Sequence, residues 1–369
     1  MNTYALLLRK TASWARTPKS TNAIQSCWFS TLRGPHRRRA PHSGSNIPAY
    51  VWLPVAATTG LIGYAYYAYL DQVPLTERKR WIATSPRWEA HLGDQEYKKL
   101  LAHFSAQGKV LPPDHRASRT VQRVGSRIAK AAEKFAEQHH VENTSAANMY
   151  NKSPYTYTVV RDETANAFVL PNNHVFVMTG LFRYTPTEDD LAAVLGHEIA
   201  HNLARHAGER MSSSFVVNLF ARLSLIIDPS GFLMTLMVPA TALLRDLPHS
   251  RTQEMEADHI GLYLAAEACY DPRAAKRVFT TMKRGLGDGY GPPEFLSTHP
   301  SHASRISKMD EWMPKAMKVF KGESVEEDGP SFGMMMGESK GDRCHHVRQQ
   351  MQMARKDAAY RAAMSGRGF

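Results

Sequence analysis

The segment His197-Glu198-Ile199-Ala200-His201 constrains this chain more than any other five residues. On an α-helix, side chains four residues apart project from nearly the same face, so the two imidazoles converge and can ligate one ion. Glu198 then stands beside that ion, where a carboxylate can take a proton from an attacking water and pass it to a leaving group. The chain has 17 histidines, so the string alone could arise by chance and its surroundings must decide. Pro186 and Thr187 precede Glu188, Asp189 and Asp190, giving a capping residue and first-turn acids. Leu191, Val194, Leu195, Ile199 and Leu203 recur at helical spacing, which puts the motif on a partly buried amphipathic helix.

A catalytic zinc takes three protein ligands and keeps a fourth position open, so a third ligand is needed. The HExxHxxGxxH continuation is absent: Ala204 and Ala207 stand at its last two fixed positions, and His206 is off by one. A second segment, Ser250 to Asp258, offers a glutamate instead. Glu254 and Asp258 are four apart and share a helical face, so Glu254 can ligate while Asp258 accepts the second ring N–H of a ligand histidine. Glu256 competes for the ligand role but points to another face and ranks behind Glu254. Taken alone, the segment reads as an exposed acidic helix making surface ion pairs; the HEIAH motif overturns that reading.

Several pieces then follow one another in a fixed order: Asn166 to Pro171, the strand-like His174 to Met178, Thr179-Gly180-Leu181, HEIAH, the SRTQEMEAD segment with Gly261, and Ser297 to Arg305. In this order they resemble the zinc metalloendopeptidases of the HtpX and Oma type, over roughly residues 86–320, and among these the mitochondrial inner-membrane Oma-like branch. The resemblance implies an α+β, mainly helical fold: a Glu-zinc (gluzincin-like) metallopeptidase domain with a small β-sheet beside the HExxH helix, preceded by one transmembrane helix. It implies one Zn2+ per chain held by His197, His201 and Glu254, with Glu198 as the proton carrier and Asp258 fixing His197. It places the strand region Val169 to Met178 where it can pair with an extended substrate backbone. It also draws His299 towards the zinc, as a resting-state ligand or an oxyanion stabiliser, although a lone histidine is more often structural. Arg305 is expected to anchor its loop through a carboxylate. The Asn172-Asn173 pair stands where the family often has glycine, and asparagine tolerates the left-handed conformation such a turn needs.

The formal charge is +12, but eight basic residues lie in residues 1–46 with no acid among them, leaving only +4 for the remainder. The excess therefore sits in a leader rather than on a recognition element, and nucleic acid is not an expected partner. That leader is rich in Arg, Ser and Thr, lacks Asp and Glu, and has its early apolar run broken by Arg9, Lys10, Arg16 and Lys19, the composition of a mitochondrial transit peptide. Residues 49–70 then carry no formal charge over 22 residues, about 33 Å as a helix, with tyrosines and Trp52 towards the ends. The domain organisation expected is a leader over 1–46, a transmembrane helix over 49–70, the metallopeptidase domain over 71–325 and a tail over 326–369 with a helix of its own.

A second apolar region, residues 215–227 and 232–244 about Asp228-Pro229-Ser230-Gly231, reads as a hairpin whose arms are each too short to span a bilayer. It is either core beside the motif helix or a segment dipping into the membrane surface. Val121, Val124, Ile128, Ala131 and Phe135 form a helical stripe suited to pack on the motif helix. Of the three cysteines, Cys27 falls in the leader, while Cys269 and Cys344 form either a bridge or two separate thiols. The resemblance implies an inner-membrane protein with its peptidase domain in the intermembrane space. Its expected partners are membrane-protein substrates in quality control and stress-responsive processing, the lipid bilayer, and, left open, further copies of the chain. Two other readings remain: a catalytically inactive membrane scaffold or chaperone keeping the peptidase fold, and an iron- or haem-binding protein using the histidines.

Overall fold

The chain divides into two units, Met1–Ala56 and Ala57–Phe369. The computed structural model describes residues 49–73, 75–138, 154–235, 251–285, 294–299 and 303–323, with single positions between Cys344 and Met353. The leader, most of the tail and the hairpin's return arm past residue 235 lie outside the described residues.

Helix α1 (Ala49–Ala68) carries no charge and leaves Tyr50, Trp52, Leu53, Leu61, Ile62, Tyr64 and Tyr67 exposed. It stops two residues short of the predicted end because Leu70 already enters strand β1 (Leu70–Gln72), which pairs antiparallel with β2 (Lys79–Trp81). A long pair of helices follows, α2 (Pro86–Ala106), capped by the Ser85 hydroxyl, and α3 (Arg116–Gln138).

Strands β3 (Thr156–Val160), β4 (Ala167–Leu170) and β5 (His174–Met178) form one sheet in the order β3-β5-β4. The central β5 runs parallel to β3 and antiparallel to β4, so β4 lies at an edge. Every residue of β5 is buried, as expected of a strand covered on both faces. The β4–β5 turn places Asn173 at φ 63°, the left-handed conformation expected for this asparagine pair.

Helix α4 (Glu188–Leu203) carries HEIAH and lies at the centre of the core. A capping box starts it: Asp190 N–H donates to the Thr187 hydroxyl oxygen, while the Thr187 N–H donates back to the Asp190 carboxylate. Leu191, Leu195, Ile199 and Leu203 recur every fourth residue and are fully buried, each contributing about 1.5–3 kcal/mol. The predicted stripe on α3, with Val121, Val124, Ile128 and Phe135 fully buried, packs against α4.

After a two-residue turn the chain enters α5 (His206–Ile227), nine residues earlier than the apolar run alone indicates. Its first turns are polar yet buried, since His206 and Ser212 are enclosed, whereas Phe215, Phe220, Ile226 and Ile227 are exposed. Among the described residues, α5 is the helix long and apolar enough to cross a membrane. In α1 the tyrosines, Thr58 and Thr59 dilute the apolar character that its lack of charge suggested. Helices α6 (Arg251–Glu267), α7 (Arg273–Arg284), the short α8 (Glu294–Thr298) and α9 (Ala303–Lys321) complete the fold. Helix α6 lies along α4 and is covered by α9. Cys269, just past α6, is bridged to Cys344, the first of the two outcomes the sequence left open.

Candidate metal centre

Two turns of α4 and the first turns of α6 meet at one buried point. His197 Nε2 and His201 Nε2 lie 3.1 Å apart. Glu254 from α6 closes the triangle, with Oε2 3.5 Å from His197 Nε2 and Oε1 3.4 Å from His201 Nε2. Zinc bonds of about 2.0–2.1 Å arranged tetrahedrally separate ligand atoms by about 3.3–3.4 Å, close to these three edges. Both rings are also held at their second nitrogen. His197 Nδ1 lies 3.0 Å from Asp258 Oδ1, and His201 Nδ1 lies 2.7 Å from His206 Nδ1. With each Nδ1 occupied by its own partner, the two Nε2 atoms and the Glu254 carboxylate are left facing one point, and a ligand histidine held at its second nitrogen keeps its ring orientation. The donor set of two imidazoles and one carboxylate suits zinc.

The surroundings hold these groups rigidly. Arg305 of α9 donates from Nε to Asp258 Oδ2 at 2.7 Å and from Nη2 to Asp258 Oδ1 at 2.7 Å. Its Nη1 lies 2.8 Å from Glu254 Oε2, and its guanidinium stacks 4.5 Å from the Phe279 ring centre. The expected carboxylate anchor for Arg305 is therefore the ligand's own neighbour as well as the ligand.

Glu198 sits beside the donor triangle and accepts a hydrogen bond from the backbone N–H of Val169 on β4. Burial pushes its carboxyl above the usual range, and the nearby His299 and His197 offset only part of that. Burial acts on Glu254 in the same direction, but hydrogen bonds from His197, His201 and His299 outweigh it and hold the carboxyl well below the usual range. His299 is buried against the cluster, its Nδ1 3.0 Å from Glu254 Oε1 and its Nε2 3.4 Å from Glu198 Oε1. The four groups His197, His201, Glu254 and His299 each bring a ligand atom within 4.8 Å of the others.

The structure thus brings together all six residues singled out from the sequence: His197, Glu198, His201, Glu254, Asp258 and His299. It keeps Glu256 out of the cluster, at His206 and Arg78 instead. Sequence reasoning missed His206, which it considered only as a ligand in the wrong register. No local signal marks it, because the turn at Arg205 breaks the helical period between His201 and His206.

A HExxH helix and a glutamate from a second helix, converging on one zinc site with a carboxylate beside it, define a zinc metallopeptidase. A profile described as Peptidase family M48 matches residues 119–313, just over half of the chain. "Mitochondrial metalloendopeptidase OMA1" of Schizosaccharomyces pombe is 35% identical over 255 residues, covering 69% of this chain and 69% of that protein. The protein of the same name from Saccharomyces cerevisiae is 33% identical over 261 residues, covering 69% of this chain and 72% of that one. The "Beta-barrel assembly-enhancing protease" of Yersinia pestis is 29% identical over 167 residues, covering 42% and 34%. The chain belongs to peptidase family M48.

Proposed function

We propose that the chain is an endopeptidase of the mitochondrial inner membrane that cleaves membrane proteins in quality control and stress-responsive processing. The observation that carries the reading is the convergence of His197 Nε2, His201 Nε2 and the Glu254 carboxylate on one point, with Glu198 alongside. His197, His201 and Glu254 hold one zinc ion per chain, and Asp258 fixes the ring of His197. When bound, zinc supplies Lewis-acid polarisation of the scissile carbonyl and a water acidic enough to attack near neutral pH. Glu198 takes the proton from the attacking water and delivers it to the leaving amine nitrogen; a carboxyl raised by burial suits this exchange. His299 serves either as a resting-state neighbour of the metal, as its contact with Glu254 supports, or as an oxyanion donor.

Strand β4 supports an extended mode of substrate binding. It is an edge strand, and its Val169 N–H turns towards Glu198, so a backbone aligned along that edge passes the proton carrier with little demand on side-chain identity. Membrane association rests on the uncharged α1 and on the exposed apolar end of α5. The buried start of α5 leaves about 13 residues free for lipid, fewer than a span requires, so we read α5 as entering the membrane surface and α1 as the anchor. The mitochondrial address draws on the basic leader and on the names of the fungal relatives. The peptidase domain is assigned to the intermembrane-space side.

The test uses the full chain in detergent. Zinc content should be about one per chain, and cleavage of an unstructured peptide should vanish with chelator and return with zinc. Stoichiometric iron, or cleavage indifferent to chelator, overturns the reading. In mitochondria the chain should resist carbonate extraction and be reached by added protease only after the outer membrane is opened; a soluble full-length form refutes the location.

A further inference from the structure

The two histidines of the motif are held from behind in different ways. His197 Nδ1 meets a carboxylate directly, at Asp258. His201 Nδ1 meets another imidazole: His206 Nδ1, 2.7 Å away, and His206 Nε2 in turn lies 3.1 Å from Glu256 Oε2. Glu256 is held by Arg78, whose Nε donates to Oε1 at 2.6 Å and whose Nη2 donates to Oε2 at 3.0 Å, and by the Thr76 hydroxyl at 3.1 Å. Arg78 also donates twice to Glu209, at 2.9 and 2.8 Å. Thr76 and Arg78 belong to the β1–β2 hairpin, which directly follows α1.

This chain of contacts has one direction. Two Nδ1 atoms 2.7 Å apart cannot both carry hydrogens, nor bond if both carry lone pairs. A histidine that ligates through Nε2 carries its proton on Nδ1, so His201 donates and His206 accepts. His206 then holds its own proton on Nε2 and donates it to Glu256. Resting on the assignment of His201 as a zinc ligand, we infer that His206 and Glu256 are positioning residues for that ligand. They form a relay from the β1–β2 hairpin to the metal that fixes the tautomer and ring plane of His201 as Asp258 does for His197.

The test compares wild type with H206F and H206N. Phenylalanine keeps the buried volume and removes the acceptor; the Asn oxygen falls about where the imidazole Nδ1 lies and still accepts from His201. By competition with a chromophoric chelator, H206F should bind zinc about 10- to 100-fold more weakly, and H206N, which keeps the acceptor for His201 but loses the link to Glu256, should fall between H206F and wild type. The visible spectrum of the cobalt-substituted protein should change in H206F and stay close to wild type in H206N, a signature that a packing role alone does not produce. Equal zinc affinity in H206F and wild type, or equal weakening in H206F and H206N, overturns the relay. If H206F does not fold, E256A replaces it: zinc binding weakened beyond what its lowered metal-free melting temperature accounts for is expected, and unchanged affinity overturns the inference. A wild-type chain that binds no zinc refutes the proposed function instead, so the two failures are distinguishable.

Discussion

Gly196 and Gly261 face each other across α4 and α6 with no side chain between them: a Cβ on Gly261 would lie 3.1 Å from the His197 backbone nitrogen and one on Gly196 3.1 Å from the Gly261 carbonyl oxygen. The neighbouring atoms are backbone on both sides, so neither helix can yield locally. This close approach brings the first turns of α6 within reach of α4 and lets a short glutamate side chain meet both histidines.

Gly261→Ala should therefore act on the metal as well as on the fold. Pushing two packed helices apart by a few tenths of an ångström costs about 1–3 kcal/mol and displaces Glu254 from the histidines. Thermal melting should show the destabilisation, and chelator competition should show weakened zinc binding beyond it. A variant that melts lower yet holds zinc as tightly would separate the helix contact from the site.

A series at the centre separates holding the metal from moving the proton. Glu254→Gln should lose zinc and activity, because a neutral amide is a poor ligand and two imidazoles alone bind weakly. Asp258→Asn should be intermediate, loosening His197 and Arg305 without removing a ligand. Glu198→Gln should keep zinc and lower cleavage by about 100- to 10,000-fold. Metal analysis and turnover measured on the same preparations decide the order; loss of zinc in Glu198→Gln would count against the assignment.

The pH dependence has opposite signs with and without metal. Burial alone would lower the His197 imidazole, but Asp258 and Glu254 outweigh it and raise it from 6.5 to about 9. A folded-state value above the unfolded one stabilises the metal-free chain below about pH 6.5, and that contribution is lost as pH rises through about 9. Zinc must displace the same proton, so its affinity climbs over that interval. The Tm of chelator-treated protein should fall from pH 6.5 to 9 while the gap to the zinc-loaded protein widens. A gap that narrows would contradict the role of His197.

The Cys269–Cys344 bridge joins residues 75 apart, and a loop of that length removes about 4 kcal/mol of unfolded-chain entropy. Cys344→Ser should lower Tm by more than about 5 °C, and reductant should do the same to wild type but not to the variant. Identical melting of wild type with and without reductant would show that the bridge does not form in solution.

How much of this was readable in advance follows the range of each interaction along the chain. The motif helix was legible because cap, first-turn acids and apolar period all lie within 17 residues of Thr187. Glu254 and Asp258 were legible because a helix fixes the relation of residues four apart, whereas strand β3 carries no comparable alternation and was not foreseen. The start of α5 was hidden by its polarity: His206, Glu209 and Ser212 resemble a loop in sequence, and only their partners on the β1–β2 hairpin, α6 and the α2 approach explain their burial. Arg78 meets Glu256 across 178 positions, a pairing that no local pattern announces.

The turn between α4 and α5 consists of Ala204 and Arg205, the latter at φ 49° with its guanidinium on Glu89 and the Thr84 carbonyl oxygen. A helix advances about 100° per residue, so inserting or deleting one residue there would turn α5 relative to α4 and carry His206 away from His201. Most connections between elements accept changes of length, since they run over the surface and hold nothing in register. This one behaves as a spacer of fixed count. Within the family it should vary in side chain but not in length, and grafting the motif helix onto another scaffold would require carrying this joint and the opening turns of α5 along with it.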